Sequence, residues 1–215
     1  MLIALEHQKG GVGKSTITWN LAIELSKKLN KKIEVVDLDV QQTLTLNNYT
    51  RNKEGLSALD IRTFKDIDSL KKYIETDNND KLMIIDTGGF DSGLNRLIGL
   101  VADFIITPVS DSTVELQGLK TFEKVLKDLN KSSNEKIISH VLLNSIDPRK
   151  KDLEDLKKFI NTSDNFKLLE SVIRRRTDFK ESISFGKSVI EYKKDSKAAS
   201  EIEALANEVI YLLDI

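Results

Sequence analysis

The sequence predicts an α/β fold in three layers, a mostly parallel twisted sheet with helices on both faces. Three observations predict it. Short apolar runs alternate with amphipathic stretches through most of the 215 residues, the pattern of buried parallel strands joined by helical crossovers. A glycine-rich segment, Lys9 to Thr16, falls directly between the first apolar run and the first amphipathic stretch. Two further apolar runs end in aspartates, at the carboxyl edge where open parallel sheets bind ligands.

The expected strands are Leu2–His7, Lys32–Leu38, Lys81–Asp86, Asp103–Pro108, Lys136–Leu143 and Leu168–Ile173, with a weaker one near Leu56–Ile61. Helices fill the gaps. The first runs from Ser15 to about Leu29, with Trp19, Ala22, Ile23 and Leu29 toward the sheet. A second, Val114–Leu129, sets Leu116, Leu119, Phe122, Val125, Leu126 and Leu129 at helical spacing. A third, Leu153–Ile160, carries Leu153, Leu156 and Phe159, and a last, Ser196–Leu213, aligns Ile202, Leu205, Val209 and Leu212. Stripes of this kind are core rather than ligand boxes. The only prolines are Pro108 and Pro148, and no Gly/Ser-rich linker interrupts the chain, so residues 1–215 are expected to form one domain.

Composition narrows the function. Hydrophobic residues at 40% and charged residues at 31% are an ordinary globular balance. The 33 basic and 34 acidic side chains leave a net charge of -1, so any nucleic-acid contact must come from a local basic patch. The absence of cysteine excludes disulfides, thiolate zinc sites, cysteine-ligated iron–sulfur clusters and cysteine nucleophiles together. No apolar run approaches the ~20 residues that span a bilayer. No basic-then-apolar signal segment opens the sequence, and a cytoplasmic protein is expected.

The chemistry begins at Lys9-Gly10-Gly11-Val12-Gly13-Lys14-Ser15-Thr16. The tail of a nucleoside triphosphate needs backbone N–H groups at close range, and glycines permit both the approach and positive φ angles. A helix opening at Ser15 adds its N-terminal partial charge. Gly10, Gly11, Val12, Gly13, Lys14, Ser15 and Thr16 are therefore the expected phosphate-binding set of a P-loop NTPase. Lys14 should reach the β- and γ-phosphates, and the Ser15 hydroxyl should hold Mg²⁺. Gln8 stands where the general motif begins with glycine, and a second lysine, Lys9, lies inside the loop.

This spelling resembles the deviant Walker A signature of the ParA/MinD group of ATPases. The resemblance implies an ATP-dependent homodimer in which Lys9 reaches the phosphates bound by the other subunit. Such a cation neutralises charge on the transferred phosphoryl group, as an arginine finger does.

Two strand ends supply carboxylates. Asp37-Leu38-Asp39-Val40-Gln41 resembles the family segment in which the second aspartate positions the attacking water, with Val40 in place of the usual proline. Lys9, Lys14 and Asp39 are thus the expected catalytic residues. Four apolar residues end in Asp86, a Walker B pattern whose aspartate binds Mg²⁺ through water, followed by Gly88-Gly89 where relatives carry prolines. Ser15, Asp39 and Asp86 make up the expected magnesium-binding set. The glycines would let that segment reshape when the γ-phosphate leaves. The resemblance continues through Asp103–Val109, a strand before a helix at the dimer face. It takes in Asn144 as a base contact and the stretch from Val172 to Ala199.

The branch within the group is read from what is missing and what is charged. Cysteine-dependent branches are excluded, and the C-terminal helix is acidic rather than a basic membrane-binding one, so no stable membrane association is expected. With seven residues before Gln8, no helix-turn-helix domain is expected ahead of the loop. Sequence-specific recognition is then expected of a separate centromere-binding adaptor of ParB type, and this chain's own DNA contact would be non-specific. Arg174, Arg175, Arg176 and Lys197 are the expected DNA-binding residues, with Lys180, Lys187, Lys193 and Lys194 nearby. The resemblance implies partition of plasmid or chromosomal DNA, with nucleoid association in the ATP state. A MinD-like membrane or cargo-positioning ATPase and a non-hydrolysing nucleotide-bound interaction module stay open beside it. His7 and His140 fall on expected strands and read as structural histidines.

Overall fold

The computed structural model describes residues 1–76, 81–89, 92–133 and 136–215. Seven strands, β1 (Leu2–Leu5), β2 (Lys32–Asp37), β3 (Asp60–Arg62), β4 (Lys81–Asp86), β5 (Phe104–Val109), β6 (Ser139–Ile146) and β7 (Phe166–Arg174), lie in the order β3-β2-β4-β1-β5-β6-β7. All six pairings are parallel. The helices are α1 (Lys14–Lys28), α2 (Thr43–Lys53), α3 (Ile67–Thr76), α4 (Gly93–Val101), α5 (Thr113–Asn130), α6 (Glu154–Asn161), α7 (Thr177–Ser184), α8 (Val189–Tyr192) and α9 (Lys197–Leu213).

Because side chains of a strand alternate between faces, β1 serves two cores at once. Ile3 and Leu5 pack with Trp19, Leu21 and Leu25 of α1 and Ile202, Leu205 and Val209 of α9. Leu2 and Ala4 pack on the other face with Ile98 of α4, Phe122 and Leu126 of α5 and Ile160 of α6. Both faces are covered, which is why these strands are apolar throughout. Among the described residues no helix is long and apolar enough to cross a membrane.

Differences from the expected elements have local causes. β6 starts at Ser139 because Ile137 is held in a loop, its N–H donated to Asn130 Oδ1 and its carbonyl accepting from Asn165 Nδ2. The strand continues to Ile146 through a bulge against β7 at polar Asn144 and Ser145, and Ser145 takes φ 58°. The weak strand near Leu56–Ile61 forms later and shorter, as β3. α2 carries Thr-Leu-Thr-Leu, a strand-like alternation, yet folds as a helix because only Leu44 of that run faces the core.

The sheet's amino end buries a charge network. Glu34 on β2 has no exposure and accepts from Lys81 Nζ at 3.0 Å, Tyr73 Oη at 2.7 Å and Arg62 Nε at 2.9 Å. A buried carboxylate left without its cation destabilises strongly, whereas removing both charges together is far milder. Lys81→Met is therefore expected to cost about 3 kcal/mol in urea denaturation, and Glu34→Leu added to it should recover most of that loss.

Candidate functional site

The sheet's register brings the predicted groups together. Leu5 pairs with Asp86, and Asp37 pairs with Asp86, so the ends of β1, β4 and β2 stand level. The segment 6–13 leaves β1 there and feeds α1. Gly11 and Gly13 take φ of 81° and 95°, which side-chain-bearing residues rarely adopt. Gly13 caps α1 without a side-chain hydrogen bond, so the first-turn N–H groups face outward to an anion.

The two lysines occupy different surroundings. Lys14 is buried, and its Nζ donates to the Lys9 carbonyl at 3.3 Å. Burial lowers its pKa, partly offset by Asp86, Asp39 and Glu6. Lys9 is half-buried at the head of the loop, and among the described residues no hydrogen-bond or ion-pair partner meets its ammonium.

The carboxylates flank this loop. Asp37 is buried and accepts from the Thr45 N–H and hydroxyl, both at 3.1 Å, while burial outweighs those bonds and raises its pKa. Asp39 lies beyond β2 with Oδ1 accepting the Gln41 N–H at 2.9 Å, which closes the turn although Val40 replaces proline. Asp86 has no exposure, and neither of its oxygens has a hydrogen-bond partner. The Ser15 hydroxyl lies close enough to draw its pKa down without reaching hydrogen-bond geometry. Burial dominates, and with Asp37 and Asp39 it lifts the carboxyl to about 7.

An orphaned buried carboxylate beside a serine hydroxyl fits a hydrated magnesium ion. Among the described residues no group of three acidic or histidine side chains could cage a metal. Ser15 and Asp86 would therefore hold an ion that takes its other ligands from phosphate and water.

The second glycine after Asp86 has a steric reason. A Cβ there would lie 2.5 Å from Gly10 N and 2.7 Å from Gly10 Cα, so two backbones touch where proline could not fit without displacement. Across the loop, a cavity of about 200 Å³ is lined by Gly11, Val12, Gly13, Thr16, Ile17, Glu115, Asn144, Ser145, Ile173, Arg174, Arg175, Arg176 and Phe179. Its size suits a base and part of a sugar, with the phosphate tail lying along the loop. Asn144 is in this cavity, but its Nδ2 donates to the Val12 carbonyl at 2.7 Å, so it braces the loop.

The arginine run is split by its bonds. Arg174 donates to the Asp147 and Lys150 carbonyls, and Arg176 pairs with Glu201. Arg175 is exposed; its backbone N–H donates to the Ile146 carbonyl at 2.9 Å, and among the described residues no hydrogen bond or ion pair holds its guanidinium. Lys197, Lys180, Lys193 and Lys194 are exposed, and Lys187 is half-buried.

Sequence reasoning missed Glu115, Ser145 and Phe179, which reach the cavity from three separate elements with no shared motif. It also placed His7 on a strand. The strand ends at Leu5, and His7 lies inside the loop entry, its Nδ1 accepting the Lys9 N–H at 2.9 Å. His140 does lie on β6, stacked on Phe104 with centroids 3.9 Å apart.

Comparison with known proteins agrees with this geometry. A family model described as the CobQ/CobB/MinD/ParA nucleotide binding domain matches residues 3–189. The sporulation initiation inhibitor protein Soj of Bacillus subtilis is 27% identical, over 97% of each chain. The maintenance of carboxysome distribution protein A of Halothiobacillus neapolitanus is 24% identical, over 97% of this chain and 95% of that protein. A putative plasmid partition protein of Borrelia burgdorferi, solved with AMPPNP, superposes with a TM-score of 0.73 at 20% identity, covering 100% of this chain and 99% of that one.

The Asp86 carboxyl gives a pH test. Its folded pKa of about 7 stands above the ordinary 3.8, so the unfolded chain releases the proton first as pH rises. The folded state loses stability from about pH 4 to pH 7 on this account, and the loss is complete above that. In ligand-free protein the stability advantage of Asp86→Asn over wild type should widen by roughly 2–3 kcal/mol between pH 5 and pH 8, at about 1.4 kcal/mol per unit. A difference that stays flat would mean that Asp86 titrates as an ordinary carboxyl.

Proposed function

The chain belongs to the CobQ/CobB/MinD/ParA nucleotide-binding family, and from that premise we propose that it is an ATP-hydrolysing dimerisation switch for partition of plasmid or chromosomal DNA. The observation that carries this reading is the unlike state of the two lysines in one loop. Lys14 is buried and turned inward, as a phosphate-binding cation must be. Lys9 is half-buried, and among the described residues no partner meets its charge. A second copy of the chain, closing face to face over ATP, gives that charge an anion.

Each residue then has a task. The amides of Gly10 to Thr16 hold the phosphates, and Lys14 neutralises the β- and γ-oxygens. Ser15 and Asp86, with Asp39 at the rim, hold Mg²⁺, which when bound supplies further charge neutralisation on those oxygens. Asp39, oriented by the Gln41 N–H, aligns the attacking water. Lys9 from the paired subunit stabilises the transferred group. Glu115, Ser145, Phe179 and Asn144 enclose the base end.

In this reading the ATP dimer binds DNA without sequence preference through Arg175 and the exposed lysines beyond it. Two weak patches act together only when the dimer forms. A separate adaptor of ParB type stimulates hydrolysis and returns monomers to the cytoplasm. A second reading, positioning of a protein complex instead of DNA cargo, is favoured by the relative named for carboxysome distribution. Both readings use the same switch and differ only in the adaptor.

Lys14→Ala should abolish nucleotide binding. Lys9→Ala should keep ATP affinity within about twofold but lower turnover on the order of 10²–10³-fold and prevent ATP-dependent dimerisation in ultracentrifugation. Equal loss of affinity in both variants would contradict the division of labour. In mobility shifts, DNA retention should require ATP rather than ADP, weaken with salt, and fall about tenfold in Arg175→Ala. Retention independent of nucleotide would count against the switch.

A further inference from the structure

His7 is a fully buried titratable group that the proposed chemistry leaves without a task. Its Nδ1 accepts the Lys9 N–H at 2.9 Å, which places the proton of the neutral ring on Nε2. Burial, then Lys14 and Lys9, hold its pKa down at about 4, so the acceptor persists at neutral pH. One ring face lies against Phe122 of α5, with centroids 6.4 Å apart. The ring edge meets Gly118 of the same helix. A Cβ on Gly118 would sit 2.9 Å from His7 Cε1 and 3.7 Å from Lys9 Cβ. One missing side chain on α5 thus makes room for both the imidazole and the root of Lys9.

A purely structural histidine would satisfy both nitrogens, yet Nε2 here has no partner. An apolar ring would fill the same space without that cost. What it could not do is accept the Lys9 N–H. Lys9 needs such a tether because the chain beyond it is glycine: Gly10 has no side chain to anchor it, its main chain meeting that of Gly89, and Gly11 takes φ 81°. We propose that His7, backed by Gly118, is a positioning residue that fixes the Lys9 backbone and so aims the Lys9 ammonium out of its own loop toward a second copy of this chain. The proposal rests on the reading of Lys9 as the cation lent across the dimer. An error of about 1 Å in such a group can cost on the order of 100-fold in rate.

Two substitutions separate tether from packing. His7→Phe keeps a ring and loses the acceptor. His7→Asn loses the ring but sets Oδ1 where the imidazole has Nδ1. We expect His7→Phe to lower kcat by about tenfold or more, with ADP affinity unchanged within twofold, and to impair dimerisation on a non-hydrolysable ATP analogue. His7→Asn should restore both, although its smaller side chain leaves a cavity and a lower melting temperature. In the nucleotide-free protein, hydrogen exchange at the Lys9 amide should be slow in wild type and His7→Asn and fast in His7→Phe. Gly118→Ala, which favours the helix, should still slow turnover by crowding His7 and Lys9.

Full turnover and dimerisation in His7→Phe, or equal defects in Phe and Asn, would overturn the proposal. If His7→Phe does not fold, wild-type turnover in Gly118→Ala overturns it. Wild-type behaviour of Lys9→Ala, with the exchange pattern at Lys9 as expected, would instead remove the dimer reading and leave only the local tether standing.

Discussion

Crowded negative charge at the carboxyl end of the sheet is the constraint around which this molecule is built. β2 and β4 run in register to Asp37 and Asp86, and Asp39 follows two residues later. Burial and mutual repulsion push the Asp86 carboxyl to about 7. Water cannot relieve it, because Asp86 has no exposed surface. Relief has to come from cations, and the loop beside it supplies Lys14 from within the chain. The same strand ends that concentrate acid therefore create the demand for a metal and for basic side chains. A sheet whose β1 ended one residue earlier or later against β4 would set the loop off the level of Asp86.

Backbone contact converts this electrostatic cluster into a mechanical one. Gly89, three residues after Asp86, lies against Gly10 closely enough that a Cβ would collide with the main chain. Movement of one segment is thus felt directly by the other, without a side chain between them. His7 holds the adjoining residue from the opposite direction. Lys9 and Gly10 are consequently gripped at two consecutive positions by elements that do not themselves bind phosphate.

The sequence made the sheet and the nucleotide end legible because their signals are local. The glycine loop, its helix and the apolar runs ending in Asp37 and Asp86 each declare themselves within a few residues, and the parallel sheet follows from their alternation. The same reasoning says less where a role depends on tertiary neighbours. Asn144 lies in the cavity, and nothing within the sequence says that its amide would also brace the Val12 carbonyl. Arg175 already stood out of the three adjacent arginines by its place after the last strand, but nothing local says that Glu201 and the carbonyls of Asp147 and Lys150 occupy the other two. His7 looked like a strand histidine because the expected strand was carried past the apolar run to residue 7, whereas β1 stops where that run ends, at Leu5, and Gly118 carried no signal at all.

The segment 186–191 is joined to the helices that leave the acidic end of the sheet by specific bonds. α2 begins directly after the Asp39 turn, and its Arg51 forms a two-pronged pair with Glu191 while also donating to the Gly186 carbonyl at 3.0 Å. Against the upward push of burial, Arg51, the Ser188 N–H and Lys27 hold Glu191 down at about 2, so this pair stays charged across the whole neutral range. Gly186 takes φ 59° and leaves no space for a Cβ beside Arg51. From the phosphate-binding side, Trp19 Nε1 donates to the Lys187 carbonyl and Asn20 accepts the Val189 N–H. Residues 186–191 are thereby clamped by α1 and α2 together, the helices that follow the glycine-rich loop and the Asp39 turn. Charge-assisted, buried bonds of this kind do not stretch by degrees; they hold or break. A displacement of either helix would therefore be felt at residues 186–191 through bonds already in place.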